Sequence, residues 1–204
     1  MRTATLALAA GLCGPCGLAS CSSLAGQAPL LATARVAVDF DSYALRRVGL
    51  LPVRGADIAP EQADVLQAAF FAEFSRNTLF EVVPLSAADL EEVPGSEPYR
   101  RGWYDPRTIL GVSRRYTLDA VLVGTVTDYQ FFTPQRLSVH FDLVAAESGA
   151  AIWSSSLHLD AANERVSDAL AAYAGEHDGQ GWDVALLSPR LFAQFAASQV
   201  AALL

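Results

Sequence analysis

The chain has 204 residues, of which 52% are hydrophobic and 18% charged, as expected of one ordinary globular domain plus a processed end. Its 22 acidic residues outnumber its 14 basic ones, a net charge of -8 that repels phosphate backbones and argues against nucleic-acid binding or polybasic attachment to a membrane. Gly and Pro fall in short breaks, and no repeat at solenoid or propeller periods is present, which excludes collagen-like sequence and repeat arrays.

At the amino terminus Met1-Arg2 supplies a short positive region, Thr3 to Leu12 an apolar run too short to span a bilayer, and Leu18-Ala19-Ser20-Cys21 follows. That order predicts a secretory signal. Its last four residues resemble the lipobox of bacterial lipoproteins, with cleavage between Ser20 and Cys21 and lipidation, including palmitate, on Cys21. The expected organisation is therefore a signal peptide over 1–20, a lipidated terminus and flexible tether over 21–42, and one periplasmic domain over 43–204. Cleavage would remove only Arg2 among the charged residues, leaving 13 basic against 22 acidic ones and a net charge of -9. Ser22 in place of Asp after the cysteine implies, by resemblance to enterobacterial sorting, the outer membrane with the domain facing the periplasm.

Cys13-Gly14-Pro15-Cys16 spells the active-site tetrapeptide of thioredoxins. Dithiol chemistry needs the first thiol at a helix amino terminus behind a buried strand, and no strand fits before residue 13. The pair is read as part of the signal. Neither disulfides nor a cysteine metal site is then expected in the mature chain.

Along the body, Arg46 to Val53 reads as a buried strand and Pro60 to Asn77 as a helix with Leu66, Phe70 and Phe74 inward and Glu61, Asp64, Glu73 and Arg76 on other faces. Phe80 to Pro84 reads as a second strand, Ser86 to Leu90 as a short helical turn, and Glu91 to Asp105 as a loop. Asp105-Pro106 starts a helix to about Tyr116. Ala120 to Tyr129, Arg136 to Ala145 and Ala151 to Leu159 follow as antiparallel neighbours, the last two joined at Glu147-Ser148-Gly149. Asn163 to Ala174 and Pro189 to Leu203, capped by Ser188, close the chain as helices. The predicted fold class is α/β: a mixed sheet, parallel strands plus an antiparallel meander, packed with helices.

Chemistry-bearing groups are sparse. Ser138, His140 and Asp142 alternate on one strand, with backbone positions about 7 Å apart from twice the strand rise, which reads as a polar face and not a triad. His140 and His158 form a pair without a third ligand, too little for a metal site. His177, Asp178 and Asp183 around Trp182 fit no calcium loop. Asp39 and Asp41 read as solvated charges, and Gly124 as a site of close packing or a bulge. No catalytic residue, cofactor or metal is expected, and the chain is read as a non-enzyme.

The stretches that stand out for binding are Tyr99, Arg100, Arg101, Trp103 and Tyr104 in the long loop, a composition typical of interaction hot spots, and Phe131 and Phe132 at the hairpin tip. The alternative for the loop aromatics is that they cover the core.

Arg47 to Val53, the Phe-rich first helix, Leu79 to Pro84, Leu118 to Asp128 and Val144 to Ser154 together resemble envelope proteins grouped with the penicillin-binding-protein activator lipoproteins, the curli-secretion lipoprotein and the amino-terminal domain of the Tol translocation protein. The likeness covers most of residues 46 to 160. It implies a non-enzymatic periplasmic domain on a lipid tether that binds or assembles with another envelope protein. Membership of a curli-type secretion or envelope-spanning complex, as a homo-oligomer, is the alternative, and an envelope hydrolase ranks last. The Glu91 to Asp105 loop and the two closing helices depart from the pattern.

Overall fold

The computed structural model describes residues 30–55, 58–91, 106–177 and 188–204. Seven strands form one mixed sheet: β1 Ala32–Val36, β2 Arg47–Leu50, β3 Arg54–Gly55, β4 Glu81–Pro84, β5 Ala120–Gln130, β6 Arg136–Ala145 and β7 Ala151–Asp160. Five α-helices are described: α1 Pro60–Asn77, α2 Ala87–Glu91, α3 Pro106–Tyr116, α4 Glu164–His177 and α5 Pro189–Ala201. The strand order is β1-β7-β6-β5-β2-β4, with β3 pairing β5 beyond the end of β2.

The parallel part forms because α1 carries the chain back from the top of β2 to the start of β4, and β2 pairs in parallel with both β4 and β5. The meander β5-β6-β7 is antiparallel throughout, with Gly149 at φ 68° making the β6–β7 turn. Mixed α/β architecture is thus as the hydrophobic periodicity implies.

The two sheet faces differ. One packs against α1 and α5: Phe70 and Phe74 of α1 stack on Phe141 of β6 with ring centroids 4.4 and 5.3 Å away, and Leu122, Leu137, Val139 and Leu143 join Phe192 and Phe195 in the same core. The other face is covered over its β2–β5 half, where Ile109 and Val112 of α3 meet Leu51, Val121, Val123 and Val144.

Three observations revise the sequence reading. Of the segment 21–42 assigned to a tether, Ala32–Val36 is an edge strand paired with β7 from Ala32↔Leu157 to Val36↔Trp153, so the chain joins the sheet well before residue 43. Its Ala-Thr-Ala-Arg-Val composition carries little hydrophobic signal because an edge strand needs to fill only one side. Glu73, placed on an outer face of α1, is buried, since α5 lies alongside α1 and covers a second stripe; its carboxylate accepts from Arg76 Nη2 at 2.5 Å. The first strand ends at Leu50 rather than Val53, and Val53 N donates instead to Gln67 Oε1 of α1 at 2.8 Å. Ser188 caps α5 as expected, accepting from Leu191 N.

Candidate functional site

Strands β1, β7 and β6 turn polar side chains to the face that α3 leaves uncovered. Register sets the rows: Ser138 lies opposite His158, His140 opposite Ser156, and Asp142 opposite Ser154. Ser138 Oγ and His158 Nδ1 are 2.5 Å apart, His140 Nδ1 and Ser156 Oγ 2.8 Å, and His140 Nε2 and Asp142 Oδ1 3.1 Å; Ser154 Oγ also donates to Asp142 Oδ1. The Asp142 side chain is only 4% exposed and His140 15%.

The 7 Å spacing of alternate strand residues does not keep His140 and Asp142 apart as expected. Their side chains lean together and close the gap. In a neutral His140 facing an ionised Asp142, the proton sits on Nε2, which donates to the carboxylate, and Nδ1 accepts from Ser156. Ser138, the serine singled out on β6, instead pairs with His158, while Ser154 and Ser156 of β7 were missed. A Ser-Ser-Ser run that alternates sides opposite an alternating Ser-His-Asp strand is the signal that could have found them, once the turn at Gly149 sets the register.

A hydroxyl, imidazole and carboxylate in hydrogen-bonded sequence is half of a hydrolase. Oxyanion donors, the other half, are not offered by the described backbone next to Ser156, whose strand is paired on both sides, to β1 and β6. His140 and His158 sit diagonally across the hairpin, and among the described residues no three His, Cys, Asp or Glu side chains converge on a common point. Asp39 and Asp41 are exposed beside the 3-10 turn Phe40–Ser42.

A second concavity of about 660 Å³ lies at the carboxyl ends of the parallel strands β2 and β4, between the start of α1 and α2, and is lined by Val53, Arg54, Ile58, Ala63, Leu85 and Asp89 among others. Open α/β sheets bind ligands at this end of the strands. On its wall Asp89 and Ser86 make a reciprocal cap: Ser86 N donates to Asp89 Oδ2 at 2.7 Å, and Asp89 N to Ser86 Oγ at 3.3 Å. Hydrogen bonds from the Ser86 hydroxyl to Asp89 Oδ2 at 2.6 Å, then from Tyr116 Oη to Oδ1 at 2.6 Å and from Ser86 N, hold the Asp89 pKa down to about 2.

The two aromatics of the hairpin tip divide their roles. Phe131 folds back edge-on to Tyr129, ring centroids 4.1 Å apart, while Phe132 is 75% exposed. Burial pushes the Tyr129 phenol pKa up. Tyr99, Arg100, Arg101, Trp103 and Tyr104 lie outside the described residues, as do Ser20, Cys21 and the stretch from Asp178 to Asp183. No described helix is long and apolar enough to cross a membrane.

No protein-family model and no curated protein matches the sequence. Among solved structures, the chain is similar to a leucine-to-methionine variant of PelC from Paraburkholderia phytofirmans, a dodecamer, at 12% identity and a TM-score of 0.51, covering 84% of this chain and 96% of that one. It is also similar, over a shorter span, to the LpoB C-terminal domain from Salmonella enterica, at 18% identity, 57% and 84% coverage and a TM-score of 0.38. A lipoprotein from Neisseria meningitidis gives 22% identity, 58% and 84% coverage and a TM-score of 0.37. What the first of these likenesses carries is the fold: a mixed sheet with helices, spanning nearly the whole of the compared chain.

Proposed function

We propose that this chain is an envelope lipoprotein, cut before Cys21 and held by lipid on that residue at the outer membrane, whose α/β domain is a non-catalytic module that binds or assembles with another envelope protein. The observation that carries the reading is the junction of the two parts: a signal ending in Leu18-Ala19-Ser20-Cys21, followed within a dozen residues by a sheet strand at Ala32. Several acyl chains hold a protein firmly, since each buried methylene contributes about 0.8 kcal/mol. The non-catalytic part is supported by the Ser156–His140–Asp142 row, which has a base and a carboxylate in a shallow concavity of about 400 Å³ but whose described backbone next to Ser156 is already paired to β1 and β6.

Partner contact is assigned to the stretch bearing Tyr99, Arg100, Arg101, Trp103 and Tyr104. A photocrosslinker in place of Tyr99 or Trp103, in growing cells, should trap one discrete envelope protein; trapping none, with the chain present in the membrane, refutes the stretch as the contact. Hydrolysis of peptidoglycan or esters by the purified protein that disappears in His140→Ala would refute the non-catalytic reading.

Self-association is a second reading, favoured by the fold likeness to a dodecamer. A ring of copies would act as a subunit of a larger envelope-spanning complex. The mass of the detergent-solubilised, lipidated protein decides it: a closed oligomer supports the ring, and a monomer at every concentration removes it.

A further inference from the structure

The hairpin tip between β5 and β6 is uncharged from Tyr129 to Gln135, in a chain whose net charge is -8. It is also rigidly built. Gln130 Nε2 donates to Phe132 O at 3.2 Å and Pro134 O at 2.7 Å, the fully buried Gln135 donates through Nε2 to Phe131 O at 3.4 Å, and Arg136 Nη2 donates to Gln130 Oε1 at 3.0 Å. These bonds satisfy three carbonyls of the turn from within, which lowers the cost of bringing that part of the backbone against an apolar phase. Phe131 is occupied with Tyr129, so the tip presents one large apolar side chain, Phe132, pointing away from the domain.

The strand register says what that side chain faces. Ala32, at the start of β1, pairs with Leu157, and three residues on Asp160 pairs with Arg136, which in turn pairs with Gln130 across the hairpin. The chain therefore enters the sheet at the same end as the tip. Two to three strand spacings, about 10–15 Å, separate them across the sheet, and the tip stands at least about 10 Å further along the strand direction, since Ala32 is level with Val139 and not with Arg136. From Cys21 to Leu30 is nine residues, a reach of at most about 30 Å when extended. Among the described residues, Val38 and Leu79, which are more exposed than Phe132, lie toward the opposite end, next to the far ends of β1 and β4.

We infer that the Tyr129 to Gln135 tip is a second membrane contact, with Phe132 seated at the headgroup and acyl boundary of the same bilayer that holds Cys21. This rests on the reading of Cys21 as the lipid anchor. The lipid supplies the affinity, and the tip fixes which end of the domain faces the bilayer. An uncharged tip is what such contact requires in an acidic protein, because neighbouring carboxylates would repel anionic headgroups.

The test uses the mature, lipidated protein. With Cys13 and Cys16 lost with the signal and the Cys21 thiol consumed by lipid, Phe132→Cys places a single thiol at the tip for an environment-sensitive nitrobenzoxadiazole label. In vesicles of phosphatidylethanolamine and phosphatidylglycerol, the label at 132 should emit to the blue of its position in water and lose intensity when doxyl-labelled phospholipid is included; a label on Leu79→Cys should do neither. A label at 132 that emits as in water overturns the proposal. So does a blue shift that doxyl lipid does not quench, the result expected if a second copy or another protein covers Phe132. The acyl mass on the amino-terminal peptide separates the two layers: if it is absent, anchor and tip fail together, and if it is present with 132 in water, the tip alone fails.

Discussion

Asp142 sits 3% exposed on the polar side of β6 and takes hydrogen bonds from Ser154 and His140. Replacing it with alanine strands both donors, so Asp142→Ala is expected to destabilise the domain by about 1–3 kcal/mol, read as a lower urea midpoint at unchanged slope. Asp89 makes a pH prediction. Its folded pKa, about 2, lies below the ordinary 3.8, so it contributes stability that is complete above about pH 4 and disappears as the pH falls towards 2. Asp89→Asn should lower stability at neutral pH and flatten the acid limb of the urea midpoint between those values; an unchanged acid limb would show that the Ser86 and Tyr116 bonds do not set it. At this scale the sequence showed which residue types alternate but not which neighbour each would meet. His140 and Asp142 were legible as a polar stripe, yet their contact depends on rotamers, and Ser154 and Ser156 become partners only through a cross-strand register. Gly124 was legible as a close-packed site: a methyl there would meet the Phe141 ring at 2.7 Å.

Among the elements, periodicity located α1, α3, β6 and α5 closely, because each carries a buried stripe or an alternation with a capping or proline signal at its start. The strand β1 was not legible. Two alanines, a threonine and an arginine in five residues resemble a tether in composition, and they form a strand because β7 offers an open edge and Leu31 N finds Gln199 Oε1 of α5 at 3.0 Å. The consequence is testable by shortening the chain. A protein starting at Leu30 should unfold in one cooperative step, whereas one starting at Tyr43 leaves the edge of β7 bare and should show a lower midpoint and a greater tendency to self-associate. Equal midpoints would return residues 30–42 to the tether.

For the whole molecule, the sheet separates two jobs. The face covered by α1 and α5 holds the fold together through the Phe70, Phe74 and Phe141 cluster, and among the described residues the β6–β7 half of the opposite face, the cleft beside Asp89 and the tip at Phe132 are open to contact. That the sheet is mixed was readable from the order of the elements; that one end gathers both the chain entry and the uncharged tip was not, since it follows from β1 pairing antiparallel to β7. The central claim concerns where this domain is held. Feeding cells a clickable palmitate analogue and fractionating membranes from wild type and Cys21→Ala tests it directly: the wild-type chain should carry label in the membrane fraction, and Cys21→Ala should lose the label and leave that fraction. A wild-type chain without label, or a Cys21→Ala chain that keeps it, would contradict the account.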